Sequence, residues 1–323
     1  MEPTPNEFDA RPSLDKRVVL VTGFIPPYML PVYHEIHRRL KDFTILVSTP
    51  MEGNRHWPAE WGQLNVQLQR TWTHRSRWRH QAGFADRHET HIPWDTLWRL
   101  RQLRPEILVS EELGFRSLLC AAYQRFHRRV PLVLACNLSE HTEQGRGRLR
   151  LALRRWLLAR SRVVTVNGRS GCRYLRQLGV PAERIFPFPY VALPGVFDTL
   201  PLHRPVSAQR LVVCGELSER KGMRQLLPIL EKWSLKHPQR TLTVIFLGSG
   251  PLLEELSQRA TAPNLRLEFR GHCDYPKLRQ ELSAATFLVF PTLADEWGLV
   301  VNEALAAGLP VLGSRYSQAV EEL

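Results

Sequence analysis

Two acids, Asp295 and Glu303, stand eight positions apart in the stretch LADEWGLVVNEALAAGLPVLGS, on either side of Gly298. The preceding TFLVFPT reads as a short strand, so LADEWG is the loop at its carboxyl end and a helix starts near Gly298. In an open parallel sheet, ligands bind beyond the carboxyl ends of the strands. A carboxylate there suits a vicinal diol, as on a ribose or a pyranose. The backbone amides of Gly298, Leu299 and Val300 form a helix N-terminus, which suits a phosphate. Taken alone, the two acids fit a helix cap and a solvated side chain equally well.

Other strand ends carry chemistry of the same kind. CGELSERKGM places Gly215 at the end of an apolar run and Arg220 and Lys221 beside Gly222 at a helix start. Adjacent cations can clamp a diphosphate, arginine bidentately, although a solvated surface pair has the same sequence. LGSGP is a glycine turn in which Gly248 and Gly250 let the backbone approach a ligand. PLVLACNLSEHTEQ sets Glu140 and His141 just past another strand end, where a plain loop histidine is the competing reading. His74, His80, His88 and His91 lack metal-ligand spacing, so no metal site is expected.

The elements that must position these residues alternate along the chain. In the second half RLVVCGEL, TLTVIFLG, LRLEFRG, TFLVFPT and PVLGS read as strands, separated by helix-like MRQLLPILEKWSLK, PLLEELSQRA, YPKLRQELSAA and GLVVNEALAAG. The first half alternates too, from RVVLVTG through EILVSEE and PLVLAC to RVVTVNG. Short connections between alternating strands and helices imply βαβ units on parallel sheets. The pattern is lost between Pro50 and Pro93, a region rich in Trp, Arg and His. RIFPFPYVALPGVFDTLPLHRP, rich in proline and without period, reads as an interdomain linker. The expected organisation is a flexible tail over 1–17, a Rossmann-like domain over 18–190, a linker over 191–209 and a second Rossmann-like domain over 210–323. A ligand would lie in the cleft between the two.

Composition narrows the setting. The chain of 323 residues carries a net charge of +13. Residues 1–200 hold 30 Lys and Arg against 18 Asp and Glu, so the basic excess belongs to the first half. That asymmetry points to an anionic partner for this half, or to a coding preference for arginine. GRGRLRLALRRWLLARSR is a basic, leucine-rich helix candidate that fits an anionic membrane surface and equally an amphipathic helix packed on a sheet. TWTHRSRWRH interleaves Trp and Arg, but no nucleic-acid module accompanies it and no such partner is expected. No apolar run reaches the roughly 20 residues of a membrane span. The acidic, polar start is no signal peptide. The five scattered cysteines have neither disulfide nor zinc spacing, which fits a reducing cytoplasm.

In this order, CGELSERKG, LGSGP, RGHCDYPKL and FPTLADEWGLVVNEALAAGLPVL resemble glycosyltransferase family 4, retaining enzymes of the GT-B fold. The last segment matches the family's E-x7-E motif. The first half matches in layout, with IPPYMLPVYHEIHRRL similar to the acceptor-side start of some bacterial members. The resemblance implies an α/β architecture of two facing Rossmann-like domains, the second one incomplete because the family continues with further elements. It implies a nucleoside-diphosphate sugar as donor, a substrate rather than a cofactor, and a glycan or lipid-linked acceptor in envelope or polysaccharide synthesis. The enzyme would be cytoplasmic, peripheral at the inner face of the plasma membrane. Glu303 would bind the donor ribose and Asp295 the sugar hydroxyls. Arg220 and Lys221 would neutralise the leaving diphosphate. Gly23 would let the N-terminal loop close on the phosphates, and His141 would stand near the reacting sugar. Asp295 departs from the family's usual Glu, and Glu216 replaces an arginine carried by many members. Two further readings fit the layout: a non-catalytic relative that binds nucleotide or membrane, and a nucleotide-sugar epimerase, against which the carboxylate segment speaks.

Overall fold

The computed structural model describes residues 14–197, apart from 54 and 56, and 209–323, apart from 260. Two parallel sheets dominate it. The first has the order β3-β2-β1-β6-β7-β8-β9. Its strands are β1 (Leu14–Thr22), β2 (Leu40–Val47), β3 (Asn65–Leu68), β6 (Ile107–Glu111), β7 (Leu132–Cys136), β8 (Val163–Val166) and β9 (Ile185–Pro187). The second has the order β12-β11-β10-β13-β14, made of β10 (Gln209–Cys214), β11 (Leu242–Leu247), β12 (Leu265–Gly271), β13 (Phe287–Phe290) and β14 (Val311–Gly313). Every pairing within the two sheets is parallel.

Strand sequences explain why both faces are covered. In β1, Val19 and Val21 join one apolar cluster while Val18 and Leu20 join another on the opposite face. In β10, Val212 and Val213 divide in the same way. A strand with helices on both sides must be apolar at consecutive positions, and these runs are. Each sheet reverses its strand order beside its first strand, between β1 and β6 and between β10 and β13. Such a switch point opens a crevice at the strands' carboxyl ends. Residues after β7 and β8 hydrogen-bond to residues after β13: Ser139 Oγ donates to Asp295 O at 3.0 Å, and Asn167 Nδ2 to Glu296 O at 2.8 Å. The two crevices therefore face each other.

Several expectations shift in detail. Residues 14–17 of the expected tail already belong to β1, their backbone paired although their side chains are exposed; residues 1–13 lie outside the described residues. Of the linker, 198–208 lie outside them too. Phe197 is fully buried in the core of the second domain, and Gln209 begins β10. The unassigned stretch 50–93 contains β3 and an antiparallel hairpin of β4 (Thr71–Arg79) and β5 (Ala85–Pro93). The hairpin's tip rests on the loop after β7: His80 Nε2 lies 2.6 Å from the His141 carbonyl, and the Arg146 guanidinium stacks 3.9 Å above the Trp78 ring.

The basic helix candidate is α4 (Arg148–Arg160), and its inner face is committed to the first domain. Leu157 and Leu158 are core residues. Of the two readings, the packed helix accounts for this face: Arg154 is buried, ion-paired with Glu143 and 3.0 Å from the Tyr174 hydroxyl. Leu149 and Trp156 stay exposed, the latter under the Arg160 guanidinium at 3.7 Å.

Candidate functional site

The second sheet's crevice gathers the chemistry. Strand β10 ends at Cys214, and helix α6 (Met223–Lys236) begins after Gly222, whose φ of 73° is left-handed. A Cβ there would overlap the Pro291 carbonyl, so only glycine lets the loop lie against the end of β13. The same seam is stitched by hydrogen bonds to the Arg220 carbonyl, from Leu293 N at 2.8 Å and Thr292 Oγ1 at 3.2 Å. Arg220 and Lys221 are thereby fixed over the loop that carries Asp295.

Lys221 Nζ is ion-paired with Asp295 Oδ2, Arg220 Nη1 lies 4.0 Å from the same oxygen, and Lys221 also stands 5.3 Å above the Phe290 ring. Asp295 is only 7% exposed. Burial would raise its carboxyl, but Lys221 and Arg220 outweigh burial and hold it below the ordinary aspartate value. Burial lowers the Lys221 ammonium against the pull of Asp295. A buried cation and anion at a crevice mouth form a charge reservoir: a ligand phosphate competes for Lys221, and a ligand hydroxyl for Asp295.

Helix α9 (Leu299–Ala306) starts after Gly298, at φ 103°, and its first amides, Leu299 and Val300, open the helix as expected. Glu303 lies one turn in, is 6% exposed, and is pushed up to about 7 by burial, with no cation among the described residues contributing to that shift. Its charge is felt by Cys214, at the end of β10, and by Tyr275, at the start of α8 (Tyr275–Ser283). The two acids of the motif thus occupy opposite electrostatic settings.

The glycine turn after β11 departs from expectation. The space at Gly248 is taken by the Gly215 carbonyl and that at Gly250 by the Leu217 backbone. Here the missing side chains allow two loops to touch, with Leu217 N bonded to Ser249 O at 2.9 Å, rather than a ligand to approach. At Gly215 itself a Cβ would meet open space, although its φ of 136° disfavours one. Gly23 follows β1, and the Arg116 guanidinium lies 3.5 Å from where its Cβ would be. His141 packs edge-on against Tyr316, 5.1 Å between ring centres, and burial lowers its pKa, favouring neutral imidazole. Among the described residues no ion pair or hydrogen bond joins its ring to Arg220, Lys221 or Asp295.

The facing wall holds residues that sequence reasoning missed. Glu111 ends β6, accepts a hydrogen bond from the Tyr33 hydroxyl at 2.8 Å and one from Thr22, and is raised by burial. Glu112 follows in a left-handed conformation, φ 66°, with its carboxylate 2.6 Å from the buried Arg116. Glu296, between the two motif acids, is exposed to solvent, but surrounding protein raises its carboxyl to about 7, with Glu112 contributing. Tyr28 and Tyr190 pack beside this pocket, 5.1 Å apart. The available signal was the acid doublet closing EILVSEE, a strand-end position like that of Asp295. No group of three His, Cys, Asp or Glu side chains among the described residues could hold a metal ion.

Comparison with known proteins adds to this geometry. Residues 25–190 match a family model described as a glycosyl transferase 4-like domain, and residues 208–323 one described as glycosyl transferases group 1. The 2-deoxystreptamine N-acetyl-D-glucosaminyltransferase of Streptomyces fradiae is 28% identical over 181 residues, 51% of this chain and 42% of that protein. The D-inositol 3-phosphate glycosyltransferase of Corynebacterium efficiens is 31% identical over 117 residues, 34% of this chain and 28% of that protein. The chain thus spans less than half the length of these curated relatives. Among solved structures, Anabaena Alr3699/HepE in complex with UDP superposes with a TM-score of 0.70 at 15% identity, covering 95% of this chain and 83% of that one. The lipopolysaccharide outer core galactosyltransferase WaaB superposes with a TM-score of 0.65 at 11% identity, covering 95% and 82%. At such identities the likeness is one of fold.

Proposed function

The chain belongs to the glycosyltransferases, its first half to the 4-like family and its second to group 1, and from that membership we propose that it moves a sugar from a nucleoside-diphosphate sugar to a hydroxyl acceptor with retention of configuration. The observation that carries this reading is the Lys221–Asp295–Arg220 cluster at the β10/β13 switch point, beside the α9 N-terminus and Glu303. Glu303 accepts the ribose hydroxyls. Lys221, Arg220 and the first amides of α9 take up the charge that develops on the departing diphosphate. Release of Lys221 towards the phosphates frees Asp295 to hold the sugar. The reacting bond breaks with oxocarbenium character, and the acceptor hydroxyl attacks from the face the diphosphate leaves, its proton passing to the departing diphosphate oxygen. No cofactor is required.

UDP and UDP-glucose are bound in solved structures of the Anabaena relative, which makes uridine donors the first to try. We propose a glycan or lipid-linked acceptor of the cell envelope, met at the inner face of the plasma membrane. Supporting that placement, Trp72, Trp94 and Trp98 are exposed on the strongly basic first half. The test is a panel of UDP-, GDP-, ADP- and dTDP-sugars, assayed for binding and for nucleotide release with an envelope glycolipid fraction, and co-sedimentation with anionic vesicles. A folded protein that binds none of these donors overturns the transferase reading. One that stays in the supernatant at low salt overturns the membrane placement alone.

A further inference from the structure

Three consecutive carbonyls of the donor loop are each engaged by a donor from elsewhere in the chain. Asp295 O accepts from Ser139 Oγ at 3.0 Å. Glu296 O accepts from Asn167 Nδ2 at 2.8 Å and from Gln318 Nε2. Trp297 O accepts from Ala319 N at 3.1 Å and from Ser317 Oγ. Ser139 and Asn167 belong to the first domain, whereas Gln318 opens helix α10 (Gln318–Glu322) of the second.

Gln318 is fully buried, and both ends of its amide are used. Nε2 also reaches Leu138 O at 2.9 Å and Asn167 Oδ1 at 3.3 Å, and Oε1 accepts from Gly171 N at 2.8 Å. Gly171 lies in the first turn of helix α5 (Arg169–Gln177), whose amides have no partner within the helix. A glutamine of one domain therefore caps a helix of the other while gripping the donor loop. Only this amide orientation meets carbonyls with its nitrogen and an N–H with its oxygen. Two glycines leave the room: a Cβ at Gly168 would lie 2.6 Å from Gln318 Oε1, and one at Gly171 would lie 2.7 Å from Leu138 O.

We propose that Gln318, with Asn167 and Ser139, is a positioning residue that transmits domain closure to the backbone carrying Asp295 and Glu296. The proposal rests on reading that loop as part of the donor site. When the domains part, the loop loses its bonds from Ser139 and Asn167, and Gln318 loses Leu138 and Gly171. When they close, the carboxylates of residues 295 and 296 are set. Ser139 lies two residues before His141, so the same contact ties the histidine loop to the acid loop. The rim of this interface has a different character: Arg173 pairs with Glu140 at 2.7 Å and Glu321 at 2.8 Å in half-exposed positions, where solvent weakens the attraction.

That contrast supplies the test. Gln318→Met keeps the volume and removes the hydrogen bonds, Gln318→Glu keeps the acceptor for Gly171 N–H and removes the donor, and Arg173→Ala removes the rim pairs alone. Hydrogen exchange at the amides of residues 295–297, binding of UDP, ADP and GDP, and kcat and KM for donor turnover are measured on each. Gln318→Met and Gln318→Glu should speed exchange at 295–297 at least about tenfold and lower kcat about ten- to a hundredfold, as misplaced reacting groups do. Nucleoside-diphosphate binding should change less than about threefold, since Glu303 and the α9 amides are not tied to the latch. Arg173→Ala should leave exchange and kcat near those of the unaltered protein. If it changes both as Gln318→Met does, or if Gln318→Met leaves exchange unchanged, Gln318 merely holds the interface and the proposal falls. Should Gln318→Met fail to fold, Ser139→Ala removes one hydroxyl from Asp295 O and repeats the comparison at smaller amplitude. An unaltered protein that binds none of the nucleotides overturns the donor reading, while the exchange comparison still decides the latch.

Discussion

Two largely buried cation–carboxylate pairs, one in each domain, are built for different ends. In the first domain Arg154 meets Glu143 beneath α4, with Arg146 3.2 Å from the same carboxylate and Tyr174 on the arginine. In the second, Lys221 meets Asp295 at the mouth of a crevice, with Arg220 4.0 Å away. The first pair is enclosed by its own domain. The second sits where two strand ends part and the other domain begins. Burial and pairing alone do not separate structure from chemistry; what matters is whether the pair faces protein or cleft.

The largest expected effect breaks the enclosed pair. Arg154→Met leaves Glu143 buried with a weaker set of partners and should lower stability by about 3–5 kcal/mol, read from denaturant unfolding. Transfer per folded molecule should stay within about threefold of the unaltered protein, since nothing in the cleft changes. A comparable loss of kcat/KM by folded protein would erase the distinction drawn between the two pairs.

Lys221→Met should show the reverse. Loss of charge stabilisation at the leaving group lowers kcat/KM by about 10²–10³-fold, or about 3–4 kcal/mol in barrier. Stability should fall less than for Arg154→Met because the Lys221–Asp295 pair lies at the cleft and is more open to solvent than Arg154–Glu143. An unchanged kcat/KM would make the Lys221 pair as structural as its counterpart.

Glu303 sharpens the comparison as a buried acid whose shift comes from burial alone among the described residues. Its folded value of about 7 lies above the ordinary 4.5. Between those values the native state holds a proton that the unfolded chain has lost, so stability falls as pH rises through this window. The stability lost by pH 8 amounts to at most roughly 3 kcal/mol. Glu303→Gln should flatten the decline and weaken nucleotide binding at pH 8, as read by unfolding and titration across pH 5–8. A decline that persists in Glu303→Gln would assign it to another group, of which Glu296 is the first to examine.

How far the sequence discloses this site follows from how local each part is. The residues of the second domain's crevice lie on strand ends joined to their own helices by a few positions, so Lys221, Gly222, Asp295 and Glu303 can be read in order. The facing wall depends on β1 lying beside β6: Thr22 and Glu111 are bonded across 89 positions, and no short motif encodes that adjacency. Gly248 and Gly250 were legible as a tight turn, but the partner they make room for, Gly215 and Leu217, comes from a different strand. The hairpin escaped because β4 is exposed along most of its length, so its polar, Arg and Trp residues follow no apolar alternation. The interdomain bonds of Gln318 could not be foreseen at all, since they require two sheets to be placed first.

The seam at Gly222 sets a boundary for anyone who would remodel the specificity of this cleft. Because a Cβ there would run into the Pro291 carbonyl, a variant library that randomises the loop from residue 215 to 222 will lose most members altered at its last position to misfolding before any donor is offered. Gly222 is best held constant. Diversity belongs at the neighbouring Glu216 and at the exposed Glu296, whereas Glu112 is held by the buried Arg116.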